Sequence, residues 1–320
     1  MQNGMTRIFF ASDIHGSERT FRKWLTAAGA HQADVVIFGG DLTGKILQPI
    51  VGIGAGRYGS DLFGHAILAD GPSELEQLRT RIRNAGRYEV IVSTEEKRAL
   101  DDSPELVHQT FLRAARESAQ RWLELADRRL SMLGIPAYMM LGNDDFREMQ
   151  DIFDQATLVI NPEDNVVELP GGYEMISLGY SNPTPWDSPR ELSEVDLASR
   201  IDKMAKRLKD PTKSVFNFHV PPHGTHLDRA PLLDDRLTPI IRGGQLQIGN
   251  VGSTAVLDVL RQYAPLLSLH GHIHESPGMS KVGRTIAINP GSEYADGILR
   301  GALVTLDKAR GVRGWQLVQG

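Results

Sequence analysis

The chain has 320 residues, 41% of them hydrophobic, a formal net charge of −5 and no cysteine. That is ample apolar material for one large or two ordinary domains, with no compositionally disordered segment. The acidic balance, with a pI near 6.1, argues against nucleic-acid binding by bulk electrostatics while leaving a local basic groove open, and the lack of cysteine means that any metal must be held by oxygen and nitrogen.

Met1 to Arg7 carries no basic region followed by an apolar stretch, and no apolar run approaches a membrane span. The expectation is a soluble cytoplasmic protein without a membrane partner. Thr6–Ser12 is a short apolar run stopped by Asp13. Phe21–Ala28 has helix composition and ends at Gly29. Ala33–Phe38 is a second apolar run, stopped by Gly39-Gly40-Asp41. The pattern is strand, helix, strand, with strands too apolar to face water.

Residues 45–133 read as a large cap-like excursion inside a single domain spanning 1–320. It opens with Gly-rich, strand-like sequence from Val51 to Leu68, then a helical segment after Gly71-Pro72-Ser73 and a strand over Arg87–Val92. Ser93-Thr94-Glu95-Glu96 has capping-box spacing. From Pro104, apolar residues recur at three- and four-residue steps through Trp122 and Leu130 to Leu133, predicting an amphipathic helix of about 45 Å that Gly134 and Pro136 stop.

The body pattern then returns. Pro136–Leu141, Val215–Phe218 and Leu266–His270 are apolar runs followed by Gly142, His219 and Gly271. Thr285–Asn289, Gly301–Leu306 and Arg313–Val318 read as short antiparallel strands. No internal repeat is visible.

Five of these strand ends carry residues able to bind a metal ion: Asp13-Ile14-His15, Gly40-Asp41, Gly142-Asn143-Asp144-Asp145, His219 and Gly271-His272-Ile273-His274. Each has a plain alternative. Asp-x-His tripeptides are common in loops, Gly-Asp makes turns, and Asn after Gly suits a left-handed turn. Together they gain weight, because ligands of α/β folds gather at the carboxyl ends of the strands. Two carboxylates, one amide and four imidazoles suit two adjacent divalent ions, and such a pair suits hydrolysis of a phosphate ester.

In this order the blocks resemble the calcineurin-like metallophosphoesterase superfamily, and the resemblance runs from Asp13 to His274. Asn289-Pro290-Gly291-Ser292 resembles a strand-turn that follows the last block in bacterial and archaeal members. The resemblance implies an α/β fold, a four-layer α/β/β/α sandwich with the metals at one end of its sheets. It implies Asp13, His15 and His274 on one ion, Asn143, His219 and His272 on the other, and Asp41 bridging them roughly 3.5–4 Å apart. A metal-bridging hydroxide would be the nucleophile. Mn²⁺ is the expected metal, with Fe, Zn or a mixed pair also fitting nitrogen-rich sites, and Mg²⁺ and Ca²⁺ disfavoured.

The third block departs from the family. Many members carry histidine after the Asn, a residue placed near the phosphate, where this chain has Asp144. An ionised Asp144 repels dianionic monoesters more than monoanionic diesters; an Asp144 with a raised pKa would instead act as an acid. Asp145 matches the acid that orients the block. His223, in the proline-stiffened loop after His219, is a candidate proton donor, with a solvated loop histidine as its alternative. The reading is a dinuclear metal-dependent phosphoesterase acting on a small-molecule phosphoester, with diesters preferred. A catalytically silent scaffold and a Mre11-like nuclease are the competitors. The complete ligand set weighs against the first and the acidic charge against the second. The oligomeric state is not legible.

Overall fold

A computed structural model describes residues 4–320, apart from the side chains of 154 and 155. Two six-stranded sheets carry the body. The first runs Gly311–Gln319, Arg300–Asp307, Met5–Ala11, Val35–Phe38, Ala137–Met139, Val159–Ile160. The second runs Gly278–Val282, Thr285–Asn289, Leu267–Leu269, Val215–Phe218, Tyr173–Leu178, Val166–Leu169. The central strands of each are parallel, so their carboxyl ends share one edge.

The alternation of side chains along each strand builds the layers. Ile8, Phe10, Val35 and Ile37 meet Met175, Val215, Leu267 and Leu269 between the sheets. Their sequence neighbours Phe9, Ala11, Val36 and Phe38 point the other way, into a core shared with the helices Glu18–Ala30 and Pro104–Leu133. On the far face, Ile176, Phe216 and Phe218 pack with residues of the helices Glu194–Ala205 and Thr254–Tyr263. The result is the expected α/β/β/α sandwich. Strands buried on both faces explain why Val35–Phe38 is apolar at every position.

The excursion expected over 45–133 divides. Ile46–Gly54, Arg57–Leu62, His65–Asp70 and Arg87–Val92 form a separate four-stranded sheet. The helix Gly71–Asn84 closes it over a small core of Ile50, Leu62, Ala69, Leu78 and Ile82. The 30-residue helix Pro104–Leu133 instead belongs to the body. Its Trp122 stacks on Phe21 at 4.5 Å between ring centres, a contact worth about 0.5–1.5 kcal/mol beyond area burial. Ser103 caps its start and Gly134 ends it at φ 64°. The capping box at Ser93 forms as expected, opening Thr94–Asp102.

The end of the chain requires a correction. Arg300–Asp307 and Gly311–Gln319 are an antiparallel pair in the first sheet. Thr285–Asn289 joins the second sheet, antiparallel to Gly278–Val282 but parallel to Leu267–Leu269. Buried on its sheet, it takes the direction of the neighbouring parallel strands rather than that of the hairpin after it. No helix among the described residues is long and apolar enough to cross a membrane.

Candidate metal centre

The shared strand edge brings all seven predicted ligands together. Asp13, His15, Asp41 and Asn143 follow strands of the first sheet; His219, His272 and His274 follow strands of the second. His15 Nε2 lies 3.1 Å from His274 Nε2 and 3.5 Å from Asp41 Oδ2. Asp13 Oδ1 is 3.3 Å from His274 Nε2 and 3.8 Å from His219 Nε2. His219 Nε2 is 3.4 Å from Asp41 Oδ2, and His272 Nδ1 is 2.8 Å from Asn143 Oδ1. Three overlapping groups have the spacing of a metal cage: Asp13 with His15 and His274, Asp13 with Asp41 and His219, and His15 with Asp41 and Asp144.

The backbone is bent to achieve this. Asp13, His15, Asp41 and His272 all have left-handed φ, between 40° and 67°. Each such residue stores on the order of 1–3 kcal/mol, which surrounding structure must override. The glycines before the ligands have a steric cause. A Cβ on Gly142 would sit 2.0 Å from Asp41 Oδ1, and one on Gly271 would sit 2.2 Å from Asp13 Oδ2.

Hydrogen bonds aim the donors. His219 Nδ1 donates to the Gly39 carbonyl at 2.8 Å, which turns Nε2 toward the carboxylates. Buried His219 Nε2 has no hydrogen-bond partner among the described residues. The Asn143 amide nitrogen donates to Ser188 Oγ at 2.9 Å and to Asp144, leaving Oδ1 for the centre. The His272 backbone N–H donates to both oxygens of Asp13. Asp145 accepts from the N–H groups of Leu42, Thr43 and Gly142 and from the Thr43 hydroxyl, fastening the second block to the third. Asn289 Nδ2 donates to the Ile273 carbonyl and Ser292 Oγ to the Asp13 carbonyl, so the tail motif braces the first and last blocks.

Charge is concentrated and buried here. Burial opposes ionisation of Asp13, but His219 and His274 outweigh it and hold its carboxyl far below the usual range. Asp41 is pushed up to about 7 by burial and by neighbouring Asp144 and Asp13, against the pull of His219. His219 is raised to about 10: burial works against its charge, and Asp41 and Asp13 more than offset it. Burial lowers His15, and it lowers His272 to about 3. An orphaned buried imidazole nitrogen, paired carboxylates and an amide oxygen converging on one space are a donor set that fits divalent transition metals.

Asp144 lies at the rim, one-fifth exposed, in an ion pair with Lys45. Burial would raise its pKa, but Lys45 overrides it and holds the carboxyl at about 2. It is therefore ionised, and its charge is not free. His223 faces Asp228, with Nδ1 3.6 Å from Oδ2; among the described residues no hydrogen bond or ion pair joins it to the seven. His270 donates from Nδ1 to the carbonyls of Phe218 and Val220 and belongs to the core.

Sequence reasoning missed three contributors. Lys45 sits four residues beyond Asp41 with no periodicity to mark it. Tyr294 places its ring 4.7 Å from that of His15 and 5.9 Å from that of His274. Arg190, 1% exposed, donates to the Gly142 carbonyl and pairs with buried Glu163.

Comparison with known proteins gives a consistent picture. The uncharacterized protein MJ1162 of Methanocaldococcus jannaschii is 27% identical over 177 residues, 54% of this chain and 69% of that protein. Two solved structures share the fold. One aligns over 98% of this chain and 99% of its own, at 16% identity and a TM-score of 0.55. The protein TT1561 of Thermus thermophilus aligns over 99% of this chain and 98% of its own, at 15% identity and a TM-score of 0.50. Residues 6–276 match the calcineurin-like phosphoesterase family, and the chain is a member of it.

Proposed function

We propose that this protein hydrolyses phosphate esters at a two-metal centre, with diesters preferred. The observation that carries this reading is the convergence of the seven donors from two sheets, with His219 Nε2 buried between the two carboxylates and without a hydrogen-bond partner among the described residues. Asp13, His15 and His274 would hold one divalent ion; Asn143, His219 and His272 would hold the other; Asp41, within reach of both sets, would be shared. Two such ions supply Lewis acidity and lower the pKa of water. Nitrogen-rich donors favour Mn²⁺, Fe or Zn over Mg²⁺.

The remaining chemistry rests on the chain. A water oxygen attacks phosphorus, the bond to the leaving alkoxide breaks, and the proton the water gives up is returned to the alkoxide from solvent. Asp145 fixes the loops that present Asp41 and Asn143. Asp144, ionised and paired with Lys45, adds no net charge at the rim, whereas a protonated imidazole would add one. A monoester dianion loses more from that missing charge than a diester monoanion does, since the interaction scales with substrate charge. With no acidic proton on Asp144, good leaving groups are favoured.

The test is metal analysis of the purified protein followed by a screen of aryl mono- and diesters. The expected result is close to two metals per chain and diester hydrolysis that a chelator abolishes and Mn²⁺ restores better than Mg²⁺. Turnover that survives exhaustive chelation would refute the reading. Full loading without turnover of any ester would replace it with a binding scaffold.

A further inference from the structure

We propose that Lys45, held in place by Asp144, is the residue that grips the substrate phosphate where many relatives use histidine. This rests on the phosphoester reading of the same site and names the group that recognises its substrate.

The geometry supports it in three ways. First, Lys45 is rigidly based. The loop before it is fastened by Asp145, through the N–H groups of Leu42 and Thr43, and the next N–H, of Gly44, donates to the hydroxyl of buried Tyr88 at 2.9 Å. Second, the ammonium is aimed. It pairs with the Asp144 carboxylate, whose ligand atom lies within 4.8 Å of those of His15 and Asp41, so the half-exposed side chain sets its head group beside the cluster. Third, it stands alone. Among the described residues, the ion pairs that reach the cluster and Asp144 come from the site's own histidines and from Lys45.

An ammonium carries three donors, and Asp144 takes one direction, leaving two for non-bridging phosphate oxygens. With its side chain half exposed, Lys45 is open to a ligand from the rim. Asp144 is then a positioning residue with two opposed effects. It orients Lys45, and its negative charge stands near the phosphate. Removing Lys45 exposes that charge, so the two residues are not interchangeable.

The experiment measures inorganic phosphate binding by calorimetry, and kcat/KM for one aryl diester, on full-length protein matched for Mn²⁺ content. The variants are Lys45→Ala, Lys45→Arg, Asp144→Asn and the Lys45→Ala/Asp144→Asn double. Lys45→Ala should weaken phosphate binding by about tenfold or more, the loss expected of a charge-assisted contact. Lys45→Arg should retain most of it. Asp144→Asn should change it less than Lys45→Ala does, and adding it to Lys45→Ala should recover part of the loss. A purely structural pair would instead give equal losses from either single change and no recovery in the double. Phosphate affinity of Lys45→Ala within twofold of wild type, or a wild type that binds no phosphate, overturns the proposal. A wild type that binds phosphate through Lys45 but turns over no ester refutes only the hydrolase reading.

Discussion

The buried pair Glu163–Arg190 offers the sharpest test of how the third block is held. Arg190 donates to both Glu163 oxygens at 2.5 and 2.6 Å, to the Gly142 carbonyl at 3.1 Å, and its backbone N–H donates to the Asn143 carbonyl. Glu163 also accepts from Gly179 N–H at 2.8 Å. Glu163→Gln leaves a guanidinium charge unpaired in the interior, which costs about 3–5 kcal/mol. A chain of 320 residues at about 2.1 cal/mol/K per residue has an unfolding entropy near 0.7 kcal/mol/K, so Tm should fall by about 4–7 °C. Replacing both residues with Met should recover much of this, because it is the orphaned charge that destabilises. The assay is thermal unfolding of metal-free protein followed by circular dichroism, with metal content measured separately. Glu163→Gln should also lower occupancy, since Asn143 is anchored through Arg190. A Tm drop under about 2 °C would falsify the reasoning. A double variant no better than the single would show that packing, not charge, sets the effect.

Other expectations follow from the site itself. Asp41→Asn should reduce bound metal at both positions and His272→Ala chiefly at one, as read by elemental analysis; equal losses would remove Asp41 from its shared place. Gly142→Ala should displace Asp41, because its Cβ would lie 2.0 Å from Oδ1; unchanged metal affinity would mean that the two blocks separate easily. His219, raised to about 10, holds a proton through neutral pH that a metal at Nε2 must displace. Binding at pH 7 should therefore release at least about one proton per chain, and apparent affinity should rise with pH up to about 10; calorimetry in buffers of different ionisation enthalpy reads this directly, and no release sinks the assignment. The same proton contributes stability to the metal-free protein that is fully present below about 6.5 and is lost as pH rises through about 10.

The body of the sandwich was legible because strands buried on both faces leave unbroken apolar runs, and each such run ended in a residue too polar to continue it. Asp13, Asp41, Asn143, His219 and His272 all announce themselves this way. The strand Tyr173–Leu178 does not, since it ends at Gly179 with no polar ligand after it. The helix Pro104–Leu133 was visible from its periodicity, but periodicity says which face is buried and not against what. The pattern alone therefore groups it with the excursion, although its apolar face lies on the body. Lys45 and the Glu163–Arg190 pair escaped for a different reason. Their partners lie 99 and 27 residues away in the chain, and nothing local encodes a contact of that kind.

Each candidate ion would draw ligands from both sheets, and His15 and His274 meet across 259 residues of sequence. In a chain without cysteine, ions so placed would act as removable staples across the seam of the sandwich. Closing so long a loop restricts the unfolded chain, and any ligand that binds only the folded form stabilises it, by about 2.7 kcal/mol at a hundredfold excess over its dissociation constant. Metal scarcity would then do more than silence the site. It would loosen the join between the two halves of the body and raise the fraction open to proteases, so that the amount of this protein in a cell would follow the supply of its ions.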